Sequence, residues 1–175
     1  MEEENFFMEN VLFWLLPVLF LSGCSPDRTI PAVDNFDLNQ YMGTWYEIAR
    51  LPNRFERGMT QVSAQYTLLS SGEVEIINRG IKNDRKKSVR GIARIPRKAC
   101  GAELEVSFFK PFFSSYRIVK LGPDYRYSIV IGSNRKLLWV LARTPALSPQ
   151  DRAEIKDFLL KHNFPPDQLI KSADL

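Results

Sequence analysis

Eight short segments rich in β-branched and aromatic residues follow one another from Gly43 to Ala142, and chain breakers separate them at a regular interval. The segments are Gly43–Leu51, Thr60–Leu69, Glu73–Arg79, Lys86–Ile95, Ala102–Phe109, Ser114–Leu121, Arg126–Ile131 and Lys136–Ala142. Between them stand Pro52-Asn53, Ser70-Ser71-Gly72, Asn83-Asp84, Pro96, Lys110-Pro111, Gly122-Pro123-Asp124 and Gly132-Ser133-Asn134. Even spacing with short turns predicts an antiparallel meander. Closing the meander removes both exposed edges, and eight strands leave an interior able to hold one small ligand. The first strand opens with Gly43-x-Trp45 and the last is followed by Arg143. In a closed sheet these meet, and a guanidinium on an indole face is worth ~1–2 kcal/mol when shielded.

After the strands, Ser148 is a good N-cap, Pro149 suits the first turn, and Asp151 favours the positive helix end. Ile155, Phe158 and Leu159 form an apolar stripe at helical spacing, which predicts a helix over Pro149–His162. A short final strand is expected at Gln168–Lys171. The expected fold is all-β, an eight-stranded antiparallel up-and-down β-barrel followed by one C-terminal α-helix.

Three motifs stand in order: Gly43-x-Trp45, the stretch Asp124-Tyr125-Arg126-Tyr127-Ser128-Ile129-Val130, and Arg143-Thr144-Pro145. On these the chain, from about Asn35 onward, resembles the lipocalins, and within them the bacterial outer-membrane lipoproteins and their animal relative apolipoprotein D. The resemblance implies a helix packed outside the barrel and a barrel closed at the Gly-x-Trp end, with Gly43, Trp45 and Arg143 as the closure. It implies a small hydrophobic ligand, most directly a fatty acid or lysophospholipid. It leaves a homodimer open.

Alternation assigns the inner face, because successive strand side chains point to opposite sides. The expected inward, ligand-binding residues are Glu47, Ala64, Tyr66, Val74, Ile76, Val106, Phe108, Tyr116, Ile118, Tyr127 and Ile129. The last strand is apolar on both faces, as suits one covered by the helix outside and by core or ligand inside. With alternate loops at the same end, the open end is basic. Arg54, Arg57, Lys87 and Arg135, with the aromatics Phe112 and Phe113, are the candidates for meeting a head group. The two aromatics also read as a membrane-dipping or subunit contact, or as a plug for the mouth.

Residues Val11 to Gly23 form an apolar run of signal-peptide length ending in Leu21-Ser22-Gly23-Cys24. That pattern resembles the bacterial lipobox, in which Cys24 is acylated and becomes the mature N-terminus. Several acyl chains on one cysteine hold it in a membrane, each buried methylene adding ~0.8 kcal/mol. Ser25 rather than Asp after the cysteine points to the outer membrane, facing the periplasm. The expected division is a signal peptide at 1–23, lipidated Cys and tether at 24–34, and a lipocalin domain at 35–175. Residues 1–10 carry four Glu and no Lys or Arg, unlike an ordinary signal peptide, and Met8 is an alternative start. Removing the leader leaves 24 basic against 16 acidic residues, a net charge of +8. Such a charge favours anionic partners. Cys100 reads as structural filler, with a Cys24 disulfide as the alternative.

Catalysis finds little support. The single His, His162, lies at the end of the packing helix, and no His or Cys cluster offers metal ligands. No Gly-rich loop cradles a phosphate, and Glu47 is the one inward carboxylate. The reading is therefore a binding protein with no catalytic residue, metal or cofactor. A lipocalin-fold enzyme acting on a lipid or isoprenoid, or a retinoid or haem carrier, is the alternative. Nucleic acid is not expected, since the basic stretch Arg79–Arg97 lacks aromatics for stacking.

Overall fold

The computed structural model describes residues 29–172 and 175. The leader and Cys24 lie outside the described residues.

The N-terminal segment crosses one end of the barrel, where Ala102 N donates to Val33 O (2.9 Å) and Val33 N to Ile118 O (2.9 Å). A one-turn helix α1 (Leu38–Tyr41) follows, capped by Asp37, whose Oδ1 accepts from Asn39 N at 2.8 Å. Eight strands come next: β1 (Gly43–Arg50), β2 (Thr60–Leu68), β3 (Val74–Lys82), β4 (Arg85–Arg94), β5 (Glu103–Phe109), β6 (Phe112–Leu121), β7 (Tyr127–Ile131) and β8 (Leu138–Ala142). Each pairs antiparallel with the next, and β8 and β2 both pair with β1, so the sheet closes on itself. The expected barrel is the observed one. β3 runs on to Lys82, three residues past its expected end, because Asn83 and Asp84 both take positive φ (50° and 57°) and make a two-residue hairpin turn.

Outside the barrel lies helix α2 (Pro149–Lys161). Ser148 caps it, accepting from Asp151 N at 3.1 Å. Arg126 grips the Asp151 carboxylate through Nη2 at 2.7 Å, holding that carboxyl below its ordinary range. Ile155 and Leu159 are fully buried against Ile48, Ile129, Ile131, Leu138 and Val140. A final two-residue strand, β9 (Ile170–Lys171), pairs with Ala49 and Arg50 of β1. β1 is thus bordered by β2 over Gly43–Tyr46 and by β9 further on.

Among the described residues there are two apolar clusters, one on each side of the sheet. The outer one lies under α2. The inner one contains Trp45, Ala64, Tyr66, Val74, Ile76, Ala93, Leu104, Val106, Ile118, Val130 and Leu141. Two expectations are corrected here. Tyr127 and Ile129, assigned to the cavity, belong to the outer cluster, and the Tyr127 hydroxyl donates to Glu154 of α2 at 2.7 Å. All five residues of β7 are buried, so hydrophobicity does not distinguish its faces, and Ser128 and Val130 are the pair on the inside.

Candidate functional site

The closed end is built from backbone geometry and one arginine. Trp45 Nε1 donates to Tyr41 O at 2.8 Å, which fixes the indole across the barrel floor. The Arg143 guanidinium carbon sits 3.9 Å from the Trp45 ring centroid. The same guanidinium donates to the carbonyls of Met42 (2.8 Å), Thr44 (3.1 Å) and Gln40. Gly43 between them has φ +96°, and a Cβ there would lie 3.3 Å from Arg143 Nη1. The positive φ favours glycine, and a side chain here would also press on the arginine that closes the floor.

Just inside this floor four hydroxyls form a chain. Tyr116 Oη lies 2.8 Å from Tyr41 Oη and 3.0 Å from Tyr66 Oη, and Tyr41 Oη lies 3.2 Å from Ser128 Oγ. Burial pushes the Tyr41 phenol up to about 12 and raises Tyr66 and Tyr116 as well, so all three remain neutral donors. Above them the wall is apolar, and many of its side chains are small: Ala64, Ala93, Val74, Val106 and Val130.

Toward the open end the chemistry becomes ionic. Arg50, 1% exposed, donates through Nη1 to Glu47 Oε1 and through Nη2 to the carbonyls of Glu56 (2.9 Å) and Met59 (3.0 Å). Its Nε stands 3.9 Å from Glu56 Oε2. That oxygen also accepts from Trp139 Nε1 and Asn53 Nδ2, each at 2.8 Å. The loop between β1 and β2 is therefore fastened to the inner wall. Burial, and next the Glu56 charge, push the Glu47 carboxyl up to about 7. One guanidinium serves two carboxylates.

A closed meander, a tryptophan floor under an arginine and an outer helix form one family's architecture, and the family comparison agrees: a model described as "Lipocalin-like domain" matches residues 36–174. The chain is a lipocalin. It is 37% identical over 155 residues to the outer membrane lipoprotein Blc of Citrobacter freundii, covering 87% of this chain and 88% of that one. Apolipoprotein D of Bos taurus is 32% identical over 148 residues, covering 79% and 77%. Among solved structures the cockroach major allergen Per a 4 superposes with a TM-score of 0.65 at 22% identity, over 82% of this chain and 92% of its own.

In this lipocalin, Ala64, Tyr66, Val74, Ile76, Val106, Tyr116 and Ile118 belong to the inner cluster, with Tyr116 partly buried against it. Glu47 lies with Arg50 near the mouth. Phe108 covers Gly91 on the inner face, its ring 2.7 Å from where a glycine Cβ would stand, and is 42% exposed. Gly43, Trp45 and Arg143 come together at the closed end. Of the mouth candidates, Arg54, Arg57, Lys87 and Phe112 are exposed. Two others are corrected. Arg135 turns to the outside, 4.4 Å over the Phe164 ring, and donates to His162 O at the end of α2. Phe113 lies on the outer wall, under the guanidinium of Arg94 at 4.0 Å, whose other partner is Glu105. Loop membership gives an end of the barrel but not a side of the wall.

Sequence reasoning missed Arg50, Glu56, Tyr41 and Ser128. Strict alternation from Trp45 turns Arg50 outward. A bulge between Glu47 and Ala49 shifts the register and brings it in opposite Trp139. Glu56 lies in a loop, where no periodicity operates. The usable signal was the crowding of Glu47, Arg50 and Glu56 into ten residues, since charges this dense at the end of a buried strand need one another.

Proposed function

We propose that this lipocalin carries a single-chain lipid, a fatty acid or lysophospholipid, with its tail in the barrel, and that acylated Cys24 tethers it to the outer membrane on the periplasmic side. The observation that carries this reading is the apolar stretch of inner wall between the floor and the mouth, under a rim with exposed basic residues. The acyl chain enters above the hydroxyls beside Ala64 and Val106, which keep some exposure, while Val74, Ile76, Ile118 and Val130 are buried by their neighbours behind them. Each buried methylene contributes ~0.8 kcal/mol, so about a dozen give micromolar affinity after the cost of association. Arg54, Arg57, Lys82, Arg85, Lys86 and Lys87 are exposed around the open end and favour an anionic head group. The names of the outer-membrane relatives support the anchor.

Binding rather than catalysis is the reading. Glu47, the inward carboxylate expected from sequence, is paired with Arg50, and no group of metal ligands occurs among the described residues. The test is native mass spectrometry of delipidated, soluble protein starting after Cys24, offered palmitate, lysophosphatidylglycerol, retinol and haem in turn. Palmitate or the lysophospholipid binds at one per chain. Binding of retinol or haem alone would overturn the acyl-chain assignment. For the anchor, labelled palmitate incorporates into the full chain, and Cys24→Ala abolishes the label and releases the protein from membranes. An unaltered membrane fraction would overturn the tether.

A further inference from the structure

The seam between β1 and β2 holds a site that lipid carriage does not explain. β2 accompanies β1 only as far as Tyr46, and Gln61, at φ +49°, bulges β2 away from it. β9 takes over the edge of β1 at Ala49, leaving a lateral pocket of about 320 Å³. Tyr46, Gln61, Val62, Ser63, Pro145 and Ser172 line it together with Glu47. Glu47 is only 4% exposed. Its Oε1 accepts from Arg50 and from Ser172 Oγ (3.4 Å), while its Oε2 has no hydrogen-bond partner and is shielded from solvent, so an occupant of the pocket reaches it only by opening the wall around it.

Charge and geometry define what fits. The groups facing Glu47 are Arg50 on its own strand and Glu56 from the overlying loop, so with both carboxylates ionised the cluster carries one more negative charge than positive. None of the lining residues is basic. A single free carboxylate oxygen suits a compact point donor. A planar guanidinium wants two oxygens, and one of these is already taken. A quaternary ammonium has no N–H to give. We propose that this lateral pocket binds a primary ammonium group, donating to Glu47 Oε2 with the oxygens of Gln61, Ser63 and Ser172 as further acceptors. The site lies at the seam between β1 and β2, and none of the inner-wall residues assigned to the acyl chain lines it.

A proton competes with the ammonium for the same oxygen. The Glu47 carboxyl titrates near about 7, so the site strengthens as pH rises through that value. The test is carbon-13 NMR of the folded chain labelled at glutamate carboxyls, titrated with n-butylammonium. The Glu47 resonance moves saturably at about pH 8, and the affinity falls about tenfold at about pH 6 as the carboxylate is protonated. Tetramethylammonium gives no saturable shift, and Glu47→Gln abolishes amine binding. Tighter binding of dihexanoylphosphatidylethanolamine than of n-butylammonium identifies a lipid head group as the source, and the reverse order a free amine. The proposal is overturned if the Glu47 resonance of the unsubstituted protein moves with neither amine, or moves equally with tetramethylammonium. The first of these readouts needs no variant to fold.

Discussion

The two ends of this barrel are fastened by different chemistry. At the closed end, Arg143 stacks on Trp45 and donates only to backbone carbonyls, and the hydroxyls of Tyr41, Tyr66, Tyr116 and Ser128 join without any anion. At the open end Arg50 holds down a loop, and two carboxylates share it. A neutral network is indifferent to pH over the physiological range, whereas an ionic one in a low dielectric is not. The floor is built to stay shut. The loop at the mouth is held by contacts that a proton can alter.

Removing the open-end cation should produce the largest effect. Arg50→Met leaves Glu47 and Glu56 facing each other without a counter-charge and should cost about 3–5 kcal/mol in urea unfolding. Adding Glu47→Gln to that chain should restore part of the loss. Equal costs for Arg50→Met and for a matched substitution at Arg143 would erase the distinction between the ends.

Next comes the pH dependence. The Glu47 carboxyl rises from its ordinary 4.5 to about 7 on folding, so the folded state holds its proton more tightly than the unfolded chain. The contribution to stability is full below 4.5 and is lost as pH rises to about 7. The stability of the wild type should therefore fall relative to Glu47→Gln across that window. Parallel curves for the two would remove the ionic account of the mouth.

Smaller effects belong to the floor. Tyr116→Phe removes the central hydroxyl of the chain and should cost about 1–2 kcal/mol, more than Tyr66→Phe at its end. Both costs should be constant between about pH 5 and about pH 8, since the phenols stay protonated throughout. The least effect is expected from Tyr127→Phe, about 0.5–1 kcal/mol, because it breaks one bond to a helix already held by Ile155 and Leu159.

Most of this architecture could be read before any coordinates. Strand order and the span of the helix follow from turn residues, caps and alternation, all of which act over a few neighbours, whereas the helix's place outside the barrel and the closed Trp45–Arg143 end are implied by the resemblance to the lipocalins. The losses occur where a local rule meets a tertiary choice. β7 is apolar on both faces, so only its register against Trp139 and Leu141 of β8 decides that Val130 and Ser128 look inward. Arg50 needed a bulge, and Arg135 and Phe113 were claimed by His162, Phe164 and Arg94, partners far away in the chain. The mouth suffers most, because loop residues such as Glu56 carry no period at all.

β9 seals the second half of the β1 edge with residues made about 120 positions later than the strand that they cover. During folding, β1 can pair with β2, its neighbour in the chain, well before the peptide groups of Ala49 and Arg50 meet Ile170 and Lys171. Until then the nascent barrel shows one short raw edge to its surroundings, beside the pocket containing Glu47. A chain truncated before Ile170 would be the form most inclined to recruit a strand from a neighbour.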